Sequence, residues 1–145
     1  MSAEEEWQSR VERTVREAGA FQAFVGEWTG EGVAHGEPTS ARMMARPLLD
    51  GSFVEVRELG DDHEDRCFYR FEIEDGSLRV MHLLPGATVR EYPVELTPEG
   101  LVWVTSPLEP SVEWRFFADR LECDVLWPGA SEPDVRMVWR RVEAR

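Results

Sequence analysis

The sequence predicts an all-β fold, a closed antiparallel β-barrel of about ten strands with one N-terminal α-helix. Three observations carry this expectation. Helical spacing of apolar residues is confined to 1–24, a period of two takes over from Trp28 onward, and turn signals cut the remainder into short segments.

The helix comes first. Ser2 followed by Glu5 has the form of a capping box, and Trp7, Val11, Val15 and Ala18 then recur at helical spacing as far as Gly19. Phe21, Phe24 and Val25 extend the apolar segment to Gly26, so the helix is expected to cap or plug the barrel. Breaks follow at Gly36-Glu37-Pro38, Asp50-Gly51, Asp61-Asp62, Asp75-Gly76, Pro85-Gly86, Pro98-Glu99-Gly100, Pro107 to Pro110, Asp119-Arg120 and Pro128 to Pro133. Asp-Gly at 50–51 and at 75–76 predicts two-residue hairpins. Alternation is clearest where Cys67, Tyr69, Phe71 and Ile73 oppose Arg70, Glu72 and Glu74. It is as clear where Leu121, Cys123, Val125 and Trp127 oppose Glu122 and Asp124. Val112, Trp114 and Phe116 point inward by the same logic, while 39–48 and 52–59 alternate less cleanly. Trp28, Gly30, Gly32 and Ala34 share a face with almost no volume beyond the tryptophan, which predicts a sharp bend or empty space. Closure removes exposed edges, and a barrel wider than eight strands has room for a guest. One domain is expected over 1–145, helical over 1–24 and barrel over 26–143.

Composition narrows the partners. A net charge of −13 repels phosphate backbones and anionic headgroups, so neither nucleic acid nor a membrane surface is expected as a partner. No apolar run has the length of a membrane span, and the acidic N-terminus lacks the order of a secretory signal, so a cytoplasmic location is expected. Cys67 and Cys123 lack metal or redox spacing and read as buried free thiols. The chain has no lysine, no asparagine and a single isoleucine, a usage that suggests a GC-rich bacterial genome.

Gly26-Glu27-Trp28 after a short helix resembles the Gly-x-Trp signature of the calycin superfamily, the lipocalins and fatty-acid-binding proteins. The resemblance implies that Trp28 closes one barrel end and that an arginine of the last strand packs across it. Arg140 and Arg141 are the candidates. The fuller Gly26-x-Trp28-x-Gly30-x-Gly32 pattern is similar to that of the nitrobindins, ten-stranded haem-binding barrels, and of bacterial calycin-like domains. Nitrobindins hold iron through a histidine in the C-terminal part of the barrel, and no histidine follows His82 here, so no cofactor is expected and haem is a minor alternative.

Candidate site residues follow from inward parity. Tyr69, His82, Arg90, Tyr92, Met43, Phe71, Trp103 and Trp114 are the expected ligand-binding residues of the interior. Arg90 and Tyr92 suit capture of an acid, because a buried anion needs a fork of donors. Asp61-Asp62-His63-Glu64-Asp65 lacks the spacing of a calcium loop and reads as a solvated hairpin tip, so no metal is expected. The first functional expectation is a binder of a small, largely apolar molecule with a polar or acidic end. The second is a cofactor-independent barrel enzyme acting on a small organic acid, an analogy with phenolic acid decarboxylases that would use Tyr69, Arg42 and Glu55. The third is a barrel without a guest whose surface forms a homodimer, with Phe68 as the outward aromatic.

Overall fold

The computed structural model describes residues 1–61 and 63–143. Ten strands close into one antiparallel barrel: β1 (Gly26–Ala34), β2 (Glu37–Leu48), β3 (Phe53–Leu59), β4 (Glu64–Glu72), β5 (Ser77–Leu84), β6 (Thr88–Leu96), β7 (Gly100–Trp103), β8 (Ser111–Phe116), β9 (Leu121–Leu126) and β10 (Val135–Arg141). Each pairs with its sequence neighbours, and β1 with β10 closes the ring. Hairpin connectivity produces this outcome directly, since every turn returns the chain beside the strand it has left. The two Asp-Gly hairpins are looser than the sequence predicts. Residues 49–52 and 73–76 each form a four-residue connection, and Leu49, Asp50 and Gly51 all take positive φ.

Helix α1 (Ala3–Ala18) starts on Ser2, whose Oγ accepts a hydrogen bond from the Glu5 amide at 3.1 Å, and Glu4, Glu5 and Glu6 occupy its positive end. It lies against β3 and β4 and the 49–51 turn, with Val15 facing Gly51 and Arg13 over the Phe71 ring. Trp7, expected on its apolar face, is 67% exposed because α1 reaches beyond the barrel wall before its C-terminal half packs down. A 3-10 segment, Gly19–Phe24, then drives Phe21 and Phe24 into the barrel, both fully buried. Phe24 stacks on Tyr69 at 4.8 Å and meets Trp114 and Phe116 edge-on at 5.0 and 5.2 Å. Helix and plug together close this end.

The closure is secured at Trp28. Its indole N–H donates to the Phe24 carbonyl at 2.8 Å, and the Arg141 guanidinium lies 4.2 Å above its ring while donating to the Val25 carbonyl at 2.9 Å. Arg140, the other candidate, points outward, 3.9 Å from Asp119. Successive strand residues face opposite sides, and Arg141 shares the pleat face that brings it opposite Trp28 in the β1–β10 register.

The small-residue face of β1 is filled, not empty. Gly30 pairs with Trp139, and a Cβ at residue 30 would lie 2.5 Å from the Trp139 ring, so the absence of a side chain there makes room for the indole. Trp127, expected inward, falls just beyond β9 and is 49% exposed, with its N–H 3.4 Å from Asp134. Outside, arginines pair with carboxylates within and between strands. Arg115 reaches Glu113, Glu122 and Asp124, and Arg70 reaches Glu72 and Glu91. None of the described helices is long and apolar enough to cross a membrane.

Candidate functional site

With one end plugged, the inward side chains of the other half enclose a cavity of about 320 Å³ that opens between the loops at the far ends of the strands. Strand parity decides what lines it. On β4, Asp65, Cys67 and Tyr69 share the inner face. In register, β3 sets Glu58 opposite Asp65 and Val56 opposite Cys67, and β5 sets His82 opposite Cys67. Beyond them β6 contributes Arg90 and Tyr92, β7 Trp103, β8 Val112 and Trp114, β9 Cys123 and Val125, and β10 Val135, Met137 and Trp139.

The lining separates into two zones. The floor is apolar and aromatic. Trp103 stacks against Tyr92 at 5.8 Å and donates its indole N–H to the Tyr69 hydroxyl at 3.1 Å, and Trp114 stacks against Trp139 at 6.5 Å. Burial pushes the Tyr69 phenol well above its ordinary range, which keeps it a neutral hydroxyl. The indole N–H groups of Trp114 and Trp139 are buried without an acceptor among the described residues. A buried donor left unpaired costs about 1–3 kcal/mol, which an oxygen arriving on a guest or a water would recover.

The mouth is polar and mostly acidic. Glu109, from the β7–β8 connection, accepts a hydrogen bond from the Tyr92 hydroxyl and lies 3.7 Å from Arg90. His82 Nε2 lies 2.5 Å from Asp65 Oδ1, with its ring edge-on to Trp103 at 5.3 Å. Glu58 is the exceptional group. Burial in the barrel wall, reinforced by the negative charge of Asp65 opposite, pushes its carboxyl from 4.5 up to about 8. At neutral pH it is therefore largely protonated and offers a hydrogen-bond donor.

Of the residues expected from the sequence, Tyr69, His82, Arg90, Tyr92, Trp103 and Trp114 all line the cavity. Met43 and Phe71 do not. Both are buried and face inward at the plugged end, where helix and aromatic plug occupy the space a guest would need. The trio Tyr69, Arg42 and Glu55 does not assemble, because Tyr69 faces inward while Glu55, on the outer face of β3, pairs with Arg46. Arg42 is exposed on the outer face of β2. In the acidic loop, Asp62 lies outside the described residues, Glu64 is held by Arg57 and Arg66, and Asp65 is not solvated tip but part of the cavity wall.

Reasoning from sequence missed Glu58, Asp65 and Glu109. Parity carried a signal for the first two: Glu58 is in phase with Val54 and Val56, and Asp65 with Cys67, Tyr69 and Phe71. Glu109 comes from a loop, where no periodicity exists to assign a direction. His82 is the histidine among the lining residues, with Asp65 against its imidazole and Glu58 and Glu109 also in the wall, and the volume of about 320 Å³ lies at the lower bound of the roughly 300–1,000 Å³ usual for small-molecule pockets. A scan against protein-family models and a search of curated proteins both find no match to this chain.

Proposed function

We propose that the chain is a calycin-like binding barrel that takes a small, largely apolar molecule and holds its polar group, neutral or positively charged, at the mouth. The Gly26-x-Trp28 sequence and the stacking of Arg141 on Trp28 support the calycin-like assignment. One observation carries the functional reading: the cavity has an aromatic floor beneath the plug, and its charged groups gather at the open end. Apolar surface buried there stabilises a complex by roughly 25 cal/mol per Å², while the polar rim fixes orientation.

The charges at the mouth argue against an acid as the preferred guest. Arg90 and Tyr92, the pair suited to a carboxylate, are already turned to Glu109, so an incoming acid has to displace an internal one. Asp65 and Glu109 outnumber Arg90, and the protonated Glu58 adds a neutral hydrogen-bonding group, a set that favours an amine or a hydroxyl.

Native mass spectrometry of freshly purified protein, beside a denatured sample, looks first for a retained guest. A titration with 1-aminoanthracene, followed through quenching of the floor tryptophans, then measures the empty cavity, with decylamine and decanoate as competitors at pH 7. Saturable binding, displaced more strongly by decylamine, is expected. No saturable quenching together with a clean apo mass would refute the binding reading, and stronger displacement by decanoate would refute the preference for a basic group.

A further inference from the structure

We propose that Asp65, Cys67 and His82 form a binding site for a divalent transition metal of the zinc class, set in the cavity wall with Glu58 beside it. One oxygen of Asp65, the Cys67 sulfur and one imidazole nitrogen of His82 all lie within 4.8 Å of one another. In a tetrahedral site with metal–ligand bonds of ~2.0–2.3 Å, ligand atoms sit ~3.3–3.7 Å apart. The His82–Asp65 separation of 2.5 Å therefore opens by about 1 Å on loading while the Cys67 sulfur stays within 4.8 Å of both, a change within the reach of side-chain rotation.

The backbone builds this constellation. Asp65 and Cys67 are i and i+2 on the inner face of β4, and His82 is the in-register partner of Cys67 on β5, so two adjacent paired strands fix all three origins. Glu58 is the in-register partner of Asp65 on β3 and brings a second carboxyl to the same corner. A site on paired strands holds its ligands more rigidly than one on a loop.

The donor set selects the metal. A thiolate with an imidazole and a carboxylate suits zinc and its borderline-soft neighbours, whereas magnesium and calcium require shells of oxygen. Three protein ligands leave a fourth position, which here faces the cavity, the arrangement in which zinc keeps a water or takes a ligand. On coordination the Cys67 thiol gives up its proton to solvent and binds as thiolate, with no change of oxidation state. The edge-on packing of His82 on Trp103 steadies the imidazole.

The proposal stands apart from the apolar guest, since metal uptake and uptake of the 1-aminoanthracene probe are separate measurements. Metal-stripped, reduced protein is titrated with zinc chloride by calorimetry and with cobalt(II) chloride by absorption. Expected is one zinc per chain, and for cobalt a tetrahedral visible spectrum with a thiolate-to-metal charge-transfer band. Cys67→Ser should abolish that band, and His82→Gln and Asp65→Asn should each weaken zinc binding at least tenfold, with folding of every variant checked by circular dichroism. Should Cys67→Ser fail to fold, the other two variants carry the test. Absence of a charge-transfer band from wild-type protein whose two thiols titrate as free would overturn the proposal. So would a band that survives in Cys67→Ser, or zinc binding equal to wild type in both His82→Gln and Asp65→Asn.

Discussion

Replacing Phe24 by alanine removes the ring on which the plug depends, and the structure sets the scale of the loss. Phe24 is fully buried and lies between Tyr69, Trp114 and Phe116 with centroids at 4.8, 5.0 and 5.2 Å. A buried aromatic covers roughly 150–250 Å², worth about 4–6 kcal/mol at 25 cal/mol per Å²; subtracting what the alanine methyl retains leaves about 3–5 kcal/mol, the usual range for such a truncation. Phe24→Leu keeps most of the volume but loses the ring contacts, for an expected cost of about 1–2 kcal/mol. Urea melts followed by tryptophan fluorescence read both values, and in thermal melts, at roughly 2–4 °C per kcal/mol, the alanine variant should melt about 6–20 °C lower. The space vacated adjoins the cavity floor, so the alanine variant should still bind 1-aminoanthracene. A loss below about 1.5 kcal/mol for the alanine variant, at unchanged m-value, would show that the 3-10 segment is not embedded and that the barrel is not closed from this side.

Trp28→Ala should cost about 3–5 kcal/mol, and Arg141→Met, which keeps an apolar cover but loses the cation and the bond to Val25, about 1–2 kcal/mol, both read in the same urea melts. Glu109→Gln removes the internal carboxylate that occupies Arg90 and Tyr92, so affinity for decanoate should rise about tenfold in the competition assay; an unchanged constant would show that the pair does not face the guest. Asp124 is partly buried, which opposes its charge, yet hydrogen bonds from Arg136 and Arg115 prevail and hold its carboxyl below 3.8. The unfolded chain then takes up this proton first, so the stability the group contributes is present above pH 3.8 and is lost as pH falls through the depressed folded value. Asp124→Asn should cost about 1–3 kcal/mol at pH 7 and flatten the acid limb of the stability curve; parallel limbs in both proteins would contradict the assignment.

Much of this architecture was legible in the sequence because period-two patterning and turn residues act locally. The run from Cys67 to Phe71 and the Gly26-x-Trp28 step each carry their direction in their own neighbours. β2 and β3 did not, and the structure supplies the reason. Ala41 and Ala45 face inward with too little apolar weight to mark the inner face, Met44 lies on the outer face, and Glu58 sets a carboxyl where the pattern calls for another valine. In β3 the irregularity was therefore the trace of the site itself, since a strand that lines a polar mouth must break the rule that reveals strands. Choosing Arg141 over Arg140 required register, which depends on pairing between chain segments more than a hundred residues apart.

The contact between Gly30 and Trp139 separates the size of the container from its chemistry. Trp139 belongs to the cavity wall and Gly30 does not, yet the space at Gly30 decides how far back the indole can sit. A methyl at residue 30 meets the ring and presses it toward the cavity, so the volume of the cavity is adjustable from a position outside its lining. On the proposed binding reading, selectivity by size and selectivity by charge reside in different places, β1 for the first and β3 to β6 with the β7–β8 connection for the second.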